Sequence, residues 1–459
     1  MIERFHRLRR WAGVDRAVFF SNAAQMLRLV TGPITMALVL RYLTPEIQGY
    51  YYAFAGVVAM QVFLEMGFSQ NILQFAAHEF AKLQFTPTEA LTGDAVARSR
   101  LISLGRLAFR YYAVAAMIFL AAVGIGGHIF FTAAAHKTGA GHAVAWSGAW
   151  WLVAVTAAGS LAINPAWSLL QGCNRIADVA KFNFFAALVS FAANALALIA
   201  GAGIYAAVTG AAVTLLVSIS YLVWRWRGFF QQFLEHPQHG HVSWKHEIWP
   251  FQWRIAVSWM SGYFVFDLIN PIAFYFCGQV EAGRLGMSLQ LVKMISNVAQ
   301  TWISTKGPRF GMLTAARAWA ELDKLWRRST IQVFTFYLLG YAAFLAAIPL
   351  VGHWVPRLPM RLAPFAVNAW LGGAMATQVL VNCMAMELRA HKREPMMWMA
   401  VANAILSVAF MLPLVRRWGI TGEAAGFALA LWVIFLPGYQ IFRTKRLEYR
   451  QLADSPVGK

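Results

Sequence analysis

Long apolar runs constrain this chain more than any other feature. Twelve stretches of roughly 20 residues, rich in Leu, Val, Ile, Ala and Phe, follow one another with short polar breaks: 19–42, 50–74, 109–131, 146–170, 182–201, 203–224, 255–277, 286–305, 331–350, 366–387, 397–415 and 425–442. A helical run of that length matches the ~30 Å hydrocarbon core of a bilayer. In lipid every backbone N–H and C=O must be satisfied internally, so only helices and closed barrels cross. These runs are too long and too uniform for barrel strands, which alternate over ~10 residues. Charged residues make up only 13% of the chain, against about 25% in soluble domains, so no soluble core can absorb this much apolar surface. The expected fold is all-α: a polytopic membrane protein of about twelve transmembrane helices. The first run reads as a span rather than a cleavable signal, because it is long, contains Arg28 and is followed at once by a second span.

Charge predicts the orientation. With the N-terminus inside, the arm "RFHRLRRWAGVDR", the segments 75–108, 171–181, 225–254, 306–330 and 388–396, and the tail from Arg443 hold 29 of the 39 Lys and Arg residues. Basic residues are retained on the cytoplasmic side, so both termini are expected to be cytoplasmic, in an inner (plasma) membrane. The net charge of +20 then reflects topology and contact with the lipid bilayer. No basic patch lies in a soluble module, so nucleic acid is not an expected partner.

A polar, His- and Trp-rich stretch, "RWRGFFQQFLEHPQHGHVSWKHEIWPFQWR", divides the chain. Residues 1–224 are expected to form an N-terminal six-helix bundle, 225–254 a cytoplasmic linker and 255–459 a C-terminal six-helix bundle. Within 306–330, the spacing of "AARAWAELDKLWRRS" predicts an amphipathic helix on the inner leaflet. In "RYLTPEIQGYYYAF", Pro45 and Gly49 predict an outward-facing turn, with Tyr50 to Tyr52 at headgroup depth.

Polar residues inside spans are costly and mark cavities or internal pairs. The first span carries Asn22, Gln25, Arg28 and Thr35; the second carries Gln61, Glu65 and Ser69. The seventh carries Asp267 and Asn270 ahead of Pro271, and the eighth a stripe of Gln290, Lys293, Asn297, Gln300 and Ser304. Arg28 and Lys293 are candidate partners for a phosphate or pyrophosphate. Gln25, Gln61, Asn297 and Gln300 suit sugar hydroxyls. Glu65 and Asp267 are either ion-coupling carboxylates or members of interhelical salt bridges, and Arg28 and Lys293 read equally as cations that snorkel to an interface. Asn164-Pro165 and Asn270-Pro271 predict kinks. The histidines His236, His239, His241 and His246 lack zinc spacing, and Cys173, Cys277 and Cys383 are scattered, so no metal or disulfide framework is expected. No GxxxxGK[ST] occurs. No catalytic residue and no cofactor are indicated.

Four stretches resemble bacterial polysaccharide flippases of the multidrug/oligosaccharidyl-lipid/polysaccharide exporter superfamily. They are "RYLTPEIQGYYYAFAGVVAMQVFLEMGFSQNILQFAAHE", "LLQGCNRIADVAK", "GQVEAGRLGMSLQLVKMISNVAQTWISTKGPRFG" and "ELRAHKREP". The resemblance implies two six-helix bundles around a central cavity of alternating access. It implies a polyprenyl-pyrophosphate-linked oligosaccharide as substrate, flipped for surface polysaccharide biosynthesis, and association with a polysaccharide polymerase or glycosyltransferases. A cation-coupled drug or metabolite antiporter of the same superfamily is the alternative. A membrane enzyme acting on lipid-linked glycan is a third reading, disfavoured by outer loops of about 15 residues with few acid/base groups.

Overall fold

The computed structural model describes residues 16–137, 144–354, 357–391 and 396–454. The N-terminal basic arm up to Asp15, the last residues of the tail and most of the end of the basic segment 388–396 lie outside them. The described residues are almost entirely helical, with one antiparallel pair, β1 (Leu83–Phe85) and β2 (Leu91–Gly93). In chain order the helices are α1 (Arg16–Tyr42), α2 (Pro45–Val58), α3 (Val62–Glu65), α4 (Phe68–Phe80), α5 (Ala95–Phe119), α6 (Ile125–Lys137), α7 (Ser147–Gly172), α8 (Ile176–Ile199) and α9 (Ala206–Arg225). After the short α10 (Arg227–Gln231) come α11 (Trp249–Phe266), α12 (Ile269–Cys277), α13 (Gln279–Ser304), α14 (Gly307–Ala315), α15 (Trp319–Trp354), α16 (Arg357–Arg361), α17 (Phe365–Ala390) and α18 (Met397–Asp454).

The protein is an all-α polytopic membrane protein. Among the described residues, ten helical stretches are long and apolar enough to cross a bilayer. The last of these, Met397–Gln451, is two helices merged across a kink at Trp418 (φ −129°) and Gly419 (φ 58°). Helix α13 is long enough at 26 residues but falls outside the group because its polar stripe lowers its hydropathy. Each of the twelve runs expected from sequence is helical over most of its length.

The chain gathers into two compact units. One comprises Met1–Leu43, Val57–Ala133 and His142–Trp259; the other comprises Thr44–Gly56, Ala134–Gly141 and Met260–Lys459.

In the first unit, α1 packs on α8, α4 and α5 on α7, and α8 on α9. The stretch 225–254, expected as a cytoplasmic linker, is tied to the segment around the start of α5. Asp94 caps α5 by accepting from Ala97 N at 2.8 Å, an N-cap of the usual kind. Gln232 accepts from Leu91 N, His239 N donates to Ser99 Oγ, and Val242 N donates to Ser103 Oγ. Arg100 bridges Glu79 (2.7 Å) and Glu247 (2.6 Å), and Glu89 joins Arg175 (3.1 Å) and Arg225 (2.6 Å). The 225–254 stretch is thus a strap held by charge-assisted bonds.

In the second unit, α17 packs on α18, and α13 on α12, α15 and α17. The Pro45–Gly49 stretch differs from the expected turn. Pro45 starts α2, and Gly49 lies within it. A Cβ on Gly49 would stand 2.6 Å from the Gln279 carbonyl carbon and closer still to its oxygen, and one on Gly283 would stand 2.9 Å from Gly49 N. The two glycines let α2 and α13 meet backbone to backbone, and Gln48 Nε2 seals the contact by donating to Gly283 O at 2.8 Å. Tyr50 and Tyr52 are buried here. The expected surface helix also differs: the chain breaks at Arg317 (φ 55°), and "WAELDKLWRR" forms the first turns of the 36-residue α15. That end is locked by ions. Arg446 meets Glu387 (2.6 Å) and Asp323 (2.5 Å), and Arg450 meets the same two carboxylates.

Candidate functional site

Two interrupted spans hold the in-span carboxylates, one in each unit. In the first unit, helix α3 ends at Glu65 because Met66 (φ 47°) and Gly67 (φ 66°) both adopt the left-handed conformation. Only glycine takes that conformation at no cost. A Cβ on Gly67 would also stand 3.5 Å from Ile255 Cβ and press on its methyl branch. The half-buried Glu65 carboxylate accepts from Ser69 Oγ at 2.7 Å and from Asn164 Nδ2 at 3.0 Å, both on Oε1. Asn164 precedes the in-helix Pro165 of α7. Around this break, Tyr111 donates to Leu64 O at 2.5 Å, and Trp244 from the strap stacks on Tyr111 (centroids 5.2 Å apart, planes 25° apart).

In the second unit, α11 and α12 are separated by a turn at Asp267 and Leu268. Pro271 has no N–H, so the Asp267 carbonyl lacks its donor four residues on. Gly56 of α2 leaves room here: a Cβ would lie 2.6 Å from Pro271 Cδ and 2.9 Å from Asp267 O. Lys293 of α13 reaches this turn. Its Nζ donates to Phe266 O at 3.0 Å and lies 3.8 Å from Asp267 Oδ1. The ammonium also lies over the Phe266 ring, 5.7 Å from the centroid.

The remaining sequence candidates are distributed as follows. Arg28 and Gln25 are exposed on α1, and neither has a hydrogen bond or ion pair among the described residues. Gln61 is half-buried in the 3-10 turn Ala59–Gln61, one turn before Glu65. Asn297 is exposed, while Gln300 donates weakly to Ser296 Oγ at 3.4 Å. The structure therefore joins Lys293 to Asp267, and Glu65 to Ser69 and Asn164. It places Arg28 in the first unit and Lys293 in the second.

One residue escaped the sequence reading. Glu423, beyond the Gly419 kink of α18, is fully buried, and neither carboxyl oxygen has a well-formed hydrogen bond among the described residues. A carboxylate in such a place is costly unless it carries a proton or meets a cation. Its position, two residues before the twelfth run, made it look like a loop residue. A lone acid next to a span boundary was the only signal.

Elsewhere the electrostatics are structural. Glu247, on the strap and outside the spans, is held below the usual carboxylate range, first by the Ser243 backbone N–H and then by Arg100. Burial pushes His391 down, and Arg450 and Arg446 add to this. No group of three or more metal-ligating side chains occurs among the described residues.

No family model and no curated protein matches the chain in sequence. Solved structures do match in fold. An inward-facing multidrug resistance MATE family transporter of the MOP superfamily superposes with a TM-score of 0.60 at 13% identity, over 96% of this chain and 100% of that one. The lipid II flippase MurJ in an inward closed conformation gives 0.58 at 13%, over 93% and 87%. The MATE multidrug transporter DinF-BH gives 0.55 at 11%, over 94% and 95%. At such identities the likeness is one of fold.

Proposed function

We propose that this chain is an alternating-access transporter that flips a polyprenyl-pyrophosphate-linked oligosaccharide across the bacterial inner membrane. The observation that carries the transporter reading is the pair of interrupted spans, each with a carboxylate at its break. Unwound or broken spanning helices are the usual marks of a substrate or ion site in secondary transporters. The second span breaks after Glu65, and the seventh breaks at Asp267. The fold shared with MATE transporters and MurJ supports the same class.

Substrate chemistry rests on the in-span cations. Arg28 is unpaired among the described residues, and Lys293 is shared between Asp267 and a main-chain oxygen. A pyrophosphate with several acceptor oxygens competes with Asp267 for such a lysine, whereas the ammonium repels a drug cation. Gln25, Gln61, Asn297 and Gln300 would then meet sugar hydroxyls, while the lipid tail stays in the bilayer. The second reading, a cation-coupled antiporter, is favoured specifically by Glu65, whose Oε2 takes no hydrogen bond among the described residues beside two donors on Oε1.

The test is transport of a fluorescent lipid-linked oligosaccharide into vesicles bearing the full chain. Arg28→Gln with Lys293→Gln should reduce transport by about tenfold or more, on the scale of charge-assisted phosphate contacts, while the protein still inserts. Unchanged glycan transport, together with drug efflux driven by an ion gradient, would replace the flippase reading with the antiporter.

A further inference from the structure

A second site lies in the first unit, and no residue of the interrupted spans lines it. Helices α5, α7, α9 and α10 enclose an open cleft of about 1110 Å³. Its walls are apolar, with Ile163, Ile219 and Val223 among them, and Val223 is 63% exposed. Three arginines line it: Arg106 and Arg110, about one helical turn apart on α5, and Arg227 at the start of α10.

These guanidiniums are poorly compensated. Among the described residues, Arg106 donates only to the Glu235 main-chain oxygen, at 2.6 Å. Arg110 and Arg227 have no hydrogen bond or ion pair among the described residues, and no carboxylate lines the cleft. Glu235, the acid nearest in sequence to the lining residues, turns to Arg98 at 2.7 Å. Arg227 stands where α9 leaves its apolar run and the polar strap begins. Trp224 stands 84% exposed there, in the manner of an interfacial aromatic.

We propose that this cleft docks an anionic glycerophospholipid of the surrounding membrane. Its phosphate sits among Arg106, Arg110 and Arg227, and an acyl chain lies along Ile163, Ile219 and Val223. Charge complementarity selects the headgroup: a lining of arginines with no acid favours a net negative phosphodiester over a zwitterion, as basic pockets between membrane helices do generally. The apolar walls select a lipid over a soluble phosphate, because a free anion leaves them bare to water. Every lining residue belongs to the first unit, and none of them is a residue proposed for transport.

Native mass spectrometry of the full chain in detergent tests this, with phosphatidylglycerol, phosphatidylcholine and inorganic phosphate as probes. Phosphatidylglycerol should be retained and phosphatidylcholine should not, and inorganic phosphate should fail to displace the lipid. Arg110→Gln with Arg227→Gln should weaken phosphatidylglycerol retention by about tenfold or more. Arg28→Gln with Lys293→Gln should leave it unchanged, which separates this site from the transport reading. Equal retention of the two phospholipids, displacement by phosphate alone, or retention of a polyprenyl-pyrophosphate glycan in preference to phosphatidylglycerol would overturn the proposal. So would wild-type binding by the Arg110→Gln, Arg227→Gln variant. If that variant does not fold, Arg110→Lys with Arg227→Lys decides: a kept preference for phosphatidylglycerol supports the site, and a lost preference overturns it.

Discussion

The Lys293–Asp267 pair is the most informative place to perturb, because it ties α13 to the break in the seventh span. At 3.8 Å and an effective dielectric near 20, Coulomb's law gives about 4 kcal/mol of attraction. That figure must be discounted, since the Asp267 side chain is 43% exposed and Lys293 26% exposed. Solvent screening and the loss of hydration on pairing reduce the net coupling to about 1–2 kcal/mol. Lys293→Gln, Asp267→Asn and the double variant form a thermodynamic cycle, read as thermal unfolding of the full chain in one detergent. Each single change should destabilise, and the double change should cost less than the sum by about 1–2 kcal/mol. The asymmetry matters for function. Asp267→Asn leaves the lysine charge facing only Phe266 O, so it should raise affinity for a pyrophosphate-bearing lipid by roughly 5- to 30-fold, the range that 1–2 kcal/mol implies. Lys293→Gln should lower it. Additivity of the two single changes to within about 0.3–0.5 kcal/mol would refute the pairing. Unchanged ligand affinity in Asp267→Asn would refute the idea that the carboxylate and the substrate compete for one ammonium.

Two further outcomes follow from packing and charge. Gly49→Ala drives a Cβ into the Gln279 carbonyl and should destabilise by about 1–3 kcal/mol through overpacking. Gly262→Ala meets nothing within 4 Å and should be neutral or stabilising by up to about 1 kcal/mol; thermal unfolding of the two variants side by side checks both. Glu247 has a depressed folded-state pKa, so its contribution to holding the strap is complete above the unfolded value and is lost as pH falls through the lower folded value. The hydrogen-exchange protection factors of residues 236–248, taken relative to the intrinsic rate at each pH, should therefore fall as the pH drops below about 4.5, the ordinary glutamate value, and Glu247→Gln should remove that fall.

Several of these features are legible in the amino-acid order. Apolar runs mark the helices, because each run settles its own transfer into lipid. The Asn270-Pro271 kink is readable because proline removes a donor wherever it stands. The α13 stripe is readable because polar side chains at three- and four-residue steps share a face. Other features are not legible. Gly49 signals a turn, since glycine serves turns and close helix contacts alike, and only the presence of Gly283 opposite decides between them. The stretch after Arg317 has the spacing of a surface helix, but it continues without a break into a span. Glu423 lies at a boundary, and nothing local marks it as fully buried.

The amino-acid order by itself determined that this chain is a bundle of membrane helices, and which of them carry polar groups at a cost. Those properties are sums over neighbouring residues, so a window of about 20 contains them. Only the tertiary structure decided that Lys293 meets Asp267 across the break, that Glu65 is held by Ser69 and Asn164, and that Arg110 and Arg227 face no acid in their cleft. Pairing depends on which distant surfaces fit at ångström distance, and no local sum of hydropathy or charge contains that fit.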